Sequence, residues 1–154
     1  MRTLRKFLPL IGLLVVVGVV FFASRLSISQ TTMPHVMASE SKLPTFLHNS
    51  NINTRDAYRF AITHHHDLEN YPCTCGCKYM GHMSNADCYI KTTAPDGSVT
   101  SFDNHASACN VCVDITLDVM RMMDEGHKPI DIRAYIDKTY GKYGPSTDTP
   151  LPLA

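Results

Sequence analysis

The 154-residue chain has no tryptophan, only 18% charged residues, and no surplus of either sign, with 14 Lys and Arg against 14 Asp and Glu. Without a basic surplus it has no field to hold phosphate backbones, which argues against nucleic acid as a partner. Eight Gly and nine Pro, in no repeating pattern, exclude a collagen-like or low-complexity chain. No Cys precedes Cys73, so a lipid-attachment cysteine cannot stand at the N-terminus. There is no internal repeat, and no strand and helix alternation of the kind that builds a parallel sheet. The length suits one domain with appendages.

The charges that are present are unevenly placed. Arg2, Arg5 and Lys6 precede an uncharged run of 17 residues, Phe7 to Ala23, and Arg25 follows it. The rest of the chain carries 11 basic against 14 acidic residues, a mildly acidic balance. An apolar run at the short end of a spanning helix, with positive charge on its N-terminal side, predicts a single-pass membrane anchor with the remainder exported. Phe21 and Phe22 spoil the small-residue pattern a signal peptidase needs before Ser24, which favours an uncleaved anchor over a signal peptide. The expected organisation is therefore an anchor at 1–26, a flexible tether at 27–53 rich in Ser, Thr, Pro and Asn, a Cys/His-rich domain at 54–144 and a loose Pro-rich tail at 145–154. Met33, His35 and Met37 stand at spacing two within the tether and read as incidental to a polar linker.

Within the domain, Asn53 or Thr54 can cap a helix in which Ala57, Phe60 and Ala61 follow the helical period, fading into an exposed polar end at His64, His65 and His66. Ala94-Pro95-Asp96-Gly97 is a turn signal, and the flanking residues 89–92 and 98–102 predict a short β-hairpin. Caps at Asp103, Asn104 or Ser107 and the stripe Val111, Cys112, Ile115, Val119, Met122 and Met123 predict a helix over 104–125, stopped by Gly126. Pro129 opens another over 129–141, with Ile132, Ile136, Tyr140 and Tyr143 on one face. The fold class is mainly α: a small domain of about three helices, the last two an αα-hairpin, with a Cys-rich loop and a short β-hairpin, behind an N-terminal transmembrane helix.

The chemistry lies in six Cys. Three disulfides are the default for a small exported domain. However, Cys73, Cys75 and Cys77 alternate with single residues, and a bond between next-but-one Cys closes a strained ring. In an extended chain their sulfurs lie on one side, and Gly76 lets the backbone fold so that they converge. Convergent thiolates repel unless protonated, oxidised or shared with a cation, and a soft metal ion neutralises them best. In a helix begun by Asn104, His105, Cys109 and Cys112 would share a face at i, i+4 and i+7. Met80, His82, Met83 and Cys88 lie between the halves, and Cys, His and Met together suit Cu(I). The expected metal ligands are Cys73, Cys75, Cys77, His82, Cys88, His105, Cys109 and Cys112, with copper the favoured ion and zinc or mercury behind it. The residue after Cys112 is Val113, which excludes a Cys-x-x-Cys-His haem attachment, and the alternation of Cys73, Cys75 and Cys77 is unlike iron–sulfur spacings.

Pro72-Cys73-Thr74-Cys75-Gly76-Cys77, Gly81-His82-Met83-Ser84-Asn85-Ala86-Asp87-Cys88, Phe102 to Cys112 and Ile132 to Asp137 together resemble the bacterial proteins named for a PCYCGC motif, over roughly residues 54–150. The resemblance implies a small exported protein, mostly of lipoprotein type, with a shared Cys/His site and no settled ligand. Thr74 stands where that family usually has Tyr, and the apolar run replaces the lipid-bearing Cys. The function expected from the residues is a membrane-tethered, extracytoplasmic soft-metal-binding protein, its partners the membrane and a metal-trafficking or membrane-complex protein. A thiol–disulfide redox protein and a disulfide-stapled accessory module are the alternatives.

Overall fold

A computed structural model describes residues 35–153. The expected anchor at 1–26, the start of the tether and Met33 lie outside the described residues. Among the described residues, no helix is long and apolar enough to cross a membrane.

Helix α1 spans Ile52–Leu68. Its cap is Asn51, whose Oδ1 accepts from the Thr54 N–H at 2.9 Å, so both residues expected as caps lie inside the first turn. The residues that turn inward, Thr54, Ala57, Tyr58, Ala61, His65 and Leu68, follow the helical period of three and four. The backbone kinks at His64, where φ is −128° and ψ 25°. The histidine triplet is consequently not a uniformly exposed end. His64 stacks on Phe60 with ring centroids 4.5 Å apart, His65 is buried, and only His66 is exposed. Burial lowers the His65 pKa, so that side chain packs as a neutral ring.

Strands β1 (Ile90–Thr93) and β2 (Val99–Phe102) form the expected antiparallel hairpin, with Ile90 opposite Phe102 and Thr93 opposite Val99. Two strands alone are marginal. This pair leans on the core through buried Ile90 and through Phe102, whose ring lies 6.5 Å from that of Tyr58.

Helix α2 spans Asn110–Asp124 and α3 spans Pro129–Tyr140. Gly126, at φ 78°, ends the first by donating to the Met123 carbonyl, while the His127 N–H reaches the Met122 carbonyl. Pro129 occupies the first turn of α3. Ile132, Ile136 and Tyr140 face inward, but the helix ends at Tyr140 and Tyr143 is exposed. The two helices pack as the expected αα-hairpin, tied by the Tyr140 hydroxyl donating to Asp118 Oδ2 at 2.7 Å.

Both segments read as loose are docked from His35 onward. In the expected tether, Leu47 is fully buried, Arg59 donates to the Ala38 carbonyl at 2.7 Å, Thr63 donates to the Val36 carbonyl at 2.7 Å, and the His35 ring sits edge-on to Phe60. The polar composition hid this because the attachments are mostly backbone carbonyls, which composition does not record. In the tail, the nearly buried Arg133 guanidinium reaches the Asn70, Thr149 and Pro150 carbonyls and the Asp137 carboxylate. Arg133 therefore pins α3 to the end of α1 and to the tail at once. Arg133→Ala should lower stability by about 2–3 kcal/mol, since charge-assisted bonds are lost and buried carbonyls are left unpaired. Limited proteolysis should then cut within 145–153. Unchanged chemical denaturation together with an intact tail would refute this assignment.

Candidate metal centre

The Cys-rich loop enters the core immediately after α1. Cys73 donates its N–H to Thr147 Oγ1 at 3.0 Å and accepts at its carbonyl from the Thr147 N–H, also at 3.0 Å, so the tail holds this residue on both sides of its backbone. The neighbouring Thr74 is buried, and its hydroxyl donates to the Tyr140 carbonyl at 2.9 Å. Gly144 passes so close that a Cβ there would stand 2.8 Å from the Thr74 carbonyl oxygen, so a side chain could not be accommodated without moving backbone. At Gly76 the chain reverses through φ 93°, a left-handed conformation that glycine adopts at little cost. That reversal turns Cys75 and Cys77 back toward Cys73.

The opposite wall is α2, and here the structure departs from the expected helix. Residues His105–Ala108 form a 3-10 turn, Cys109 is extended at φ −129° and ψ 99°, and the α-helix begins only at Asn110. His105, Cys109 and Cys112 are therefore not one helical face at i, i+4 and i+7. The cause lies upstream: Asp103 Oδ1 accepts from the His105 N–H at 2.8 Å, closing a local turn that competes with the helix. Cys109 then serves as the N-cap residue, placing Cys112 in the first turn of α2.

A fully buried polar network holds that first turn. The Cys112 carbonyl accepts from the Tyr89 hydroxyl at 2.8 Å and from Asn85 Nδ2 at 3.3 Å, and the Thr116 hydroxyl lies 3.0 Å from Asn85 Oδ1 and 2.8 Å from the Tyr89 oxygen. Sequence reasoning missed Asn85, Tyr89, Asp103 and Thr147 as supports. Asn85 and Asp103 lie within the motif segments, but their partners are set by the tertiary fold, and Thr147 sits in what read as a loose tail.

The six sulfurs converge, and all are free thiols. Cys73 Sγ lies 3.1 Å from Cys77, 3.2 Å from Cys112 and 3.4 Å from Cys75. Cys88 Sγ lies 3.5 Å from both Cys77 and Cys112. Cys75 Sγ lies 3.2 Å from Cys77, 3.4 Å from Cys112 and 3.1 Å from Cys109. His105 Nε2 joins them, 3.3 Å from Cys77 Sγ and 3.6 Å from Cys75 Sγ. The shortest sulfur–sulfur separations, 3.1 Å, are longer than a disulfide bond of about 2.05 Å. Groups of four with all their ligand atoms within 4.8 Å of one another include Cys73, Cys77, Cys88 and Cys112, all buried, and Cys75, Cys77, His105 and Cys112, in which Cys75 and His105 are half-buried; the sulfurs of Cys73, Cys75, Cys77 and Cys112 also lie within 3.9 Å of one another. The cluster could hold a metal ion. Of the remaining two expected ligands, Cys109 Sγ lies 3.1 Å from Cys75 Sγ, and His82 Nδ1 lies 3.5 Å from Cys88 Sγ. His82 is also edge-on to His105, with Nε2 4.0 Å from Asp103 Oδ2. Met80 and Met83 are exposed.

Thiols packed this closely share protons. Hydrogen bonds from Cys112 hold Cys73, Cys75, Cys77 and Cys109 below the ordinary thiol range, with Cys109 lowered to about 5. Cys112 is correspondingly raised, because Cys109, Cys73, Cys75 and Cys77 all draw on its proton. Burial works against a charged His105, yet the bond to Cys75 and the negative charge of Cys77, Cys75 and Cys109 push it up to about 9. In the metal-free chain this is an imidazolium paired with thiolates.

These positions identify the family. Its description, protein of unknown function with PCYCGC motif, applies over residues 24–152. The chain belongs to this family. No curated protein and no solved structure matches it. In this PCYCGC protein the motif reads Pro72-Cys-Thr-Cys-Gly-Cys77, and the substituted position, Thr74, points away from the sulfurs toward the Tyr140 carbonyl.

The raised His105 pKa has a definite sign. Its folded value of about 9 lies above the ordinary 6.5, so its pairing stabilises the metal-free fold fully below pH 6.5 and the contribution is lost as pH rises through 9. In thermal melts of chelated, reduced protein, the Tm gap between wild type and His105→Gln should be widest at or below pH 6.5 and close by about pH 9. A gap that widens with pH would show that His105 is not paired with thiolates.

Proposed function

We propose that this chain is a membrane-tethered, extracytoplasmic soft-metal-binding protein, with copper as the favoured ion. The convergence of six thiols and the His105 imidazole in one partly buried cluster carries this reading. Thiolate-rich sets select Cu(I) and zinc over harder ions. Four thiolates, or three thiolates and one imidazole, are also the ligand sets of structural zinc, which makes zinc the competitor to exclude. Exposed Met80 and Met83, on the loop beside His82 and Cys88, add soft thioethers that favour Cu(I). The membrane tether rests on the uncharged run from Phe7 to Ala23 and its basic N-terminal flank, which direct the Cys-rich domain outward.

Purification from its own membrane, under anaerobic conditions and without chelator, should yield protein that carries copper by elemental analysis and resists alkylation at Cys73, Cys75 and Cys77. Chelator alone, with no reductant, should make those three positions alkylatable, because released thiolates react whereas disulfide sulfurs yield only to reductant. Stoichiometric zinc that Cu(I) does not displace would replace copper with zinc. Stoichiometric disulfides with no metal would favour the redox or stapled-module alternative, and insulin reduction would separate those two. Protease added to intact spheroplasts should reach residues 35–153, and protease added to sealed inside-out vesicles should not. The reverse pattern would refute the outward placement.

A further inference from the structure

Four of the six sulfurs are all in contact with one another. Cys73, Cys75, Cys77 and Cys112 make six pairs, which run from 3.1 Å for Cys73 and Cys77 to 3.9 Å for Cys77 and Cys112, with the other four at 3.2–3.4 Å. A flat set of four with such edges would have two diagonals about 1.4 times as long, and no pair here is stretched so far. The four sulfurs are therefore the corners of a tetrahedron. The point equidistant from them lies about 2.1 Å from each, against about 2.3 Å for a thiolate on a tetrahedral d10 ion, so seating an ion there moves each sulfur outward by about 0.2 Å. The other candidates border this tetrahedron: Cys88 Sγ lies 3.5 Å from Cys77 and Cys112, His105 Nε2 lies 3.3 Å from Cys77 and 3.6 Å from Cys75, and Cys109 Sγ lies 3.1 Å from Cys75. The group containing Cys88 and the group containing His105 each share three corners with it. Two tetrahedra on one face hold their centres only about 1.5 Å apart, too close for two like-charged ions, so the central position and a neighbouring one cannot be filled together.

We propose that Cys73, Cys75, Cys77 and Cys112 form a mononuclear four-thiolate site for one soft d10 ion, with Cys88, Cys109 and His105 outside its coordination sphere. The proposal rests on the metal-binding reading and specifies the number of ions and the role of each thiol. Three ligands come from the loop around Gly76 and the fourth from the first turn of α2, so the ion clamps the loop to that helix. The helix end of the clamp is fixed beforehand, because Tyr89 and Asn85 hold the Cys112 carbonyl. Cys88 and His105 lie within hydrogen-bonding reach of the ligand sulfurs and orient them, as groups around a metal sphere do. Cys75 is the one half-buried corner of the four.

The test uses the full chain in detergent, reduced and kept anaerobic, titrated with Cd2+ as a soft, redox-inert probe. Native mass spectrometry should show one ion per chain at saturation. Loaded with cadmium-113, the protein should give one NMR resonance at the shift of a four-sulfur sphere, and His105→Gln should leave it in that range. The double variant Cys88→Ser, Cys109→Ser retains only the four proposed thiols, and it should keep both the ion and the four-sulfur shift. Cys73→Ser or Cys75→Ser should lose that shift and weaken Cd2+ binding by at least about 100-fold, more than the loss of an orienting neighbour costs. If those two fail to fold, the double variant still decides the matter, because a four-sulfur resonance from four remaining thiols leaves no other ligand set. Saturation at two ions, a wild-type shift of three sulfurs and one nitrogen, or loss of the four-sulfur shift in the double variant would overturn this ligand set and leave the metal-binding function standing. Absence of any bound Cd2+ in the wild type would overturn both.

Discussion

Everything in this domain follows from holding six thiols at van der Waals contact. Two like charges about 4 Å apart repel by roughly 4 kcal/mol at the effective dielectric of a partly exposed site, so the sulfurs cannot all be thiolates without a countercharge. In the metal-free chain the countercharge is distributed: Cys112 keeps its proton, and His105 holds one that an isolated imidazole would release. Each is a position from which a metal ion would displace a proton, so the metal-free arrangement is already an approximation to the loaded one.

The scaffold keeps that arrangement at the expense of ordinary helix geometry. A continuous helix from Asn104 would give the stripe of α2 one more turn, yet Asp103 diverts the chain into a 3-10 turn and Cys109 is left extended. The diversion carries His105 toward Cys75 and Cys77, which an unbroken helix would not require. On the other side, Thr147 clasps Cys73, and Arg133 in turn clasps the segment that carries Thr147. The core is small, and its apolar contacts alone would hold a Cys-rich loop loosely. Directed hydrogen bonds to backbone supply the precision that burial does not.

This division explains what could be read from the sequence. Elements built by local rules were legible: the stripe of α2, the Pro129 start of α3, the turn between β1 and β2, and the convergence of Cys73, Cys75 and Cys77 through Gly76. Elements built by distant partners were not. Nothing local to Thr147 marks it as the partner of Cys73, 74 residues away, and nothing local to Ala38 or Val36 marks them as attachment points for α1. The His64–His66 triplet misled for the same reason, since Phe60 and the buried wall around His65 decide its exposure. The grouping of His105 with the Cys was right in membership and wrong in mechanism, because a 3-10 turn and an extended residue replaced a helical face.

The cluster is also asymmetric, and this bears on what it is for. A purely structural site is closed on all sides, as the ligands of a stabilising zinc ion are. Here Cys73, Cys77, Cys88 and Cys112 are buried, whereas Cys75, Cys109 and His105 lie half-exposed at one edge. An ion held by this cluster would therefore be more open to exchange at that edge than on the buried side. A partner thiol arriving at that edge would meet Cys109 and Cys75 first. The proposed metal-binding role would draw on this asymmetry, since a buried side favours holding an ion and a half-exposed edge favours ligand exchange.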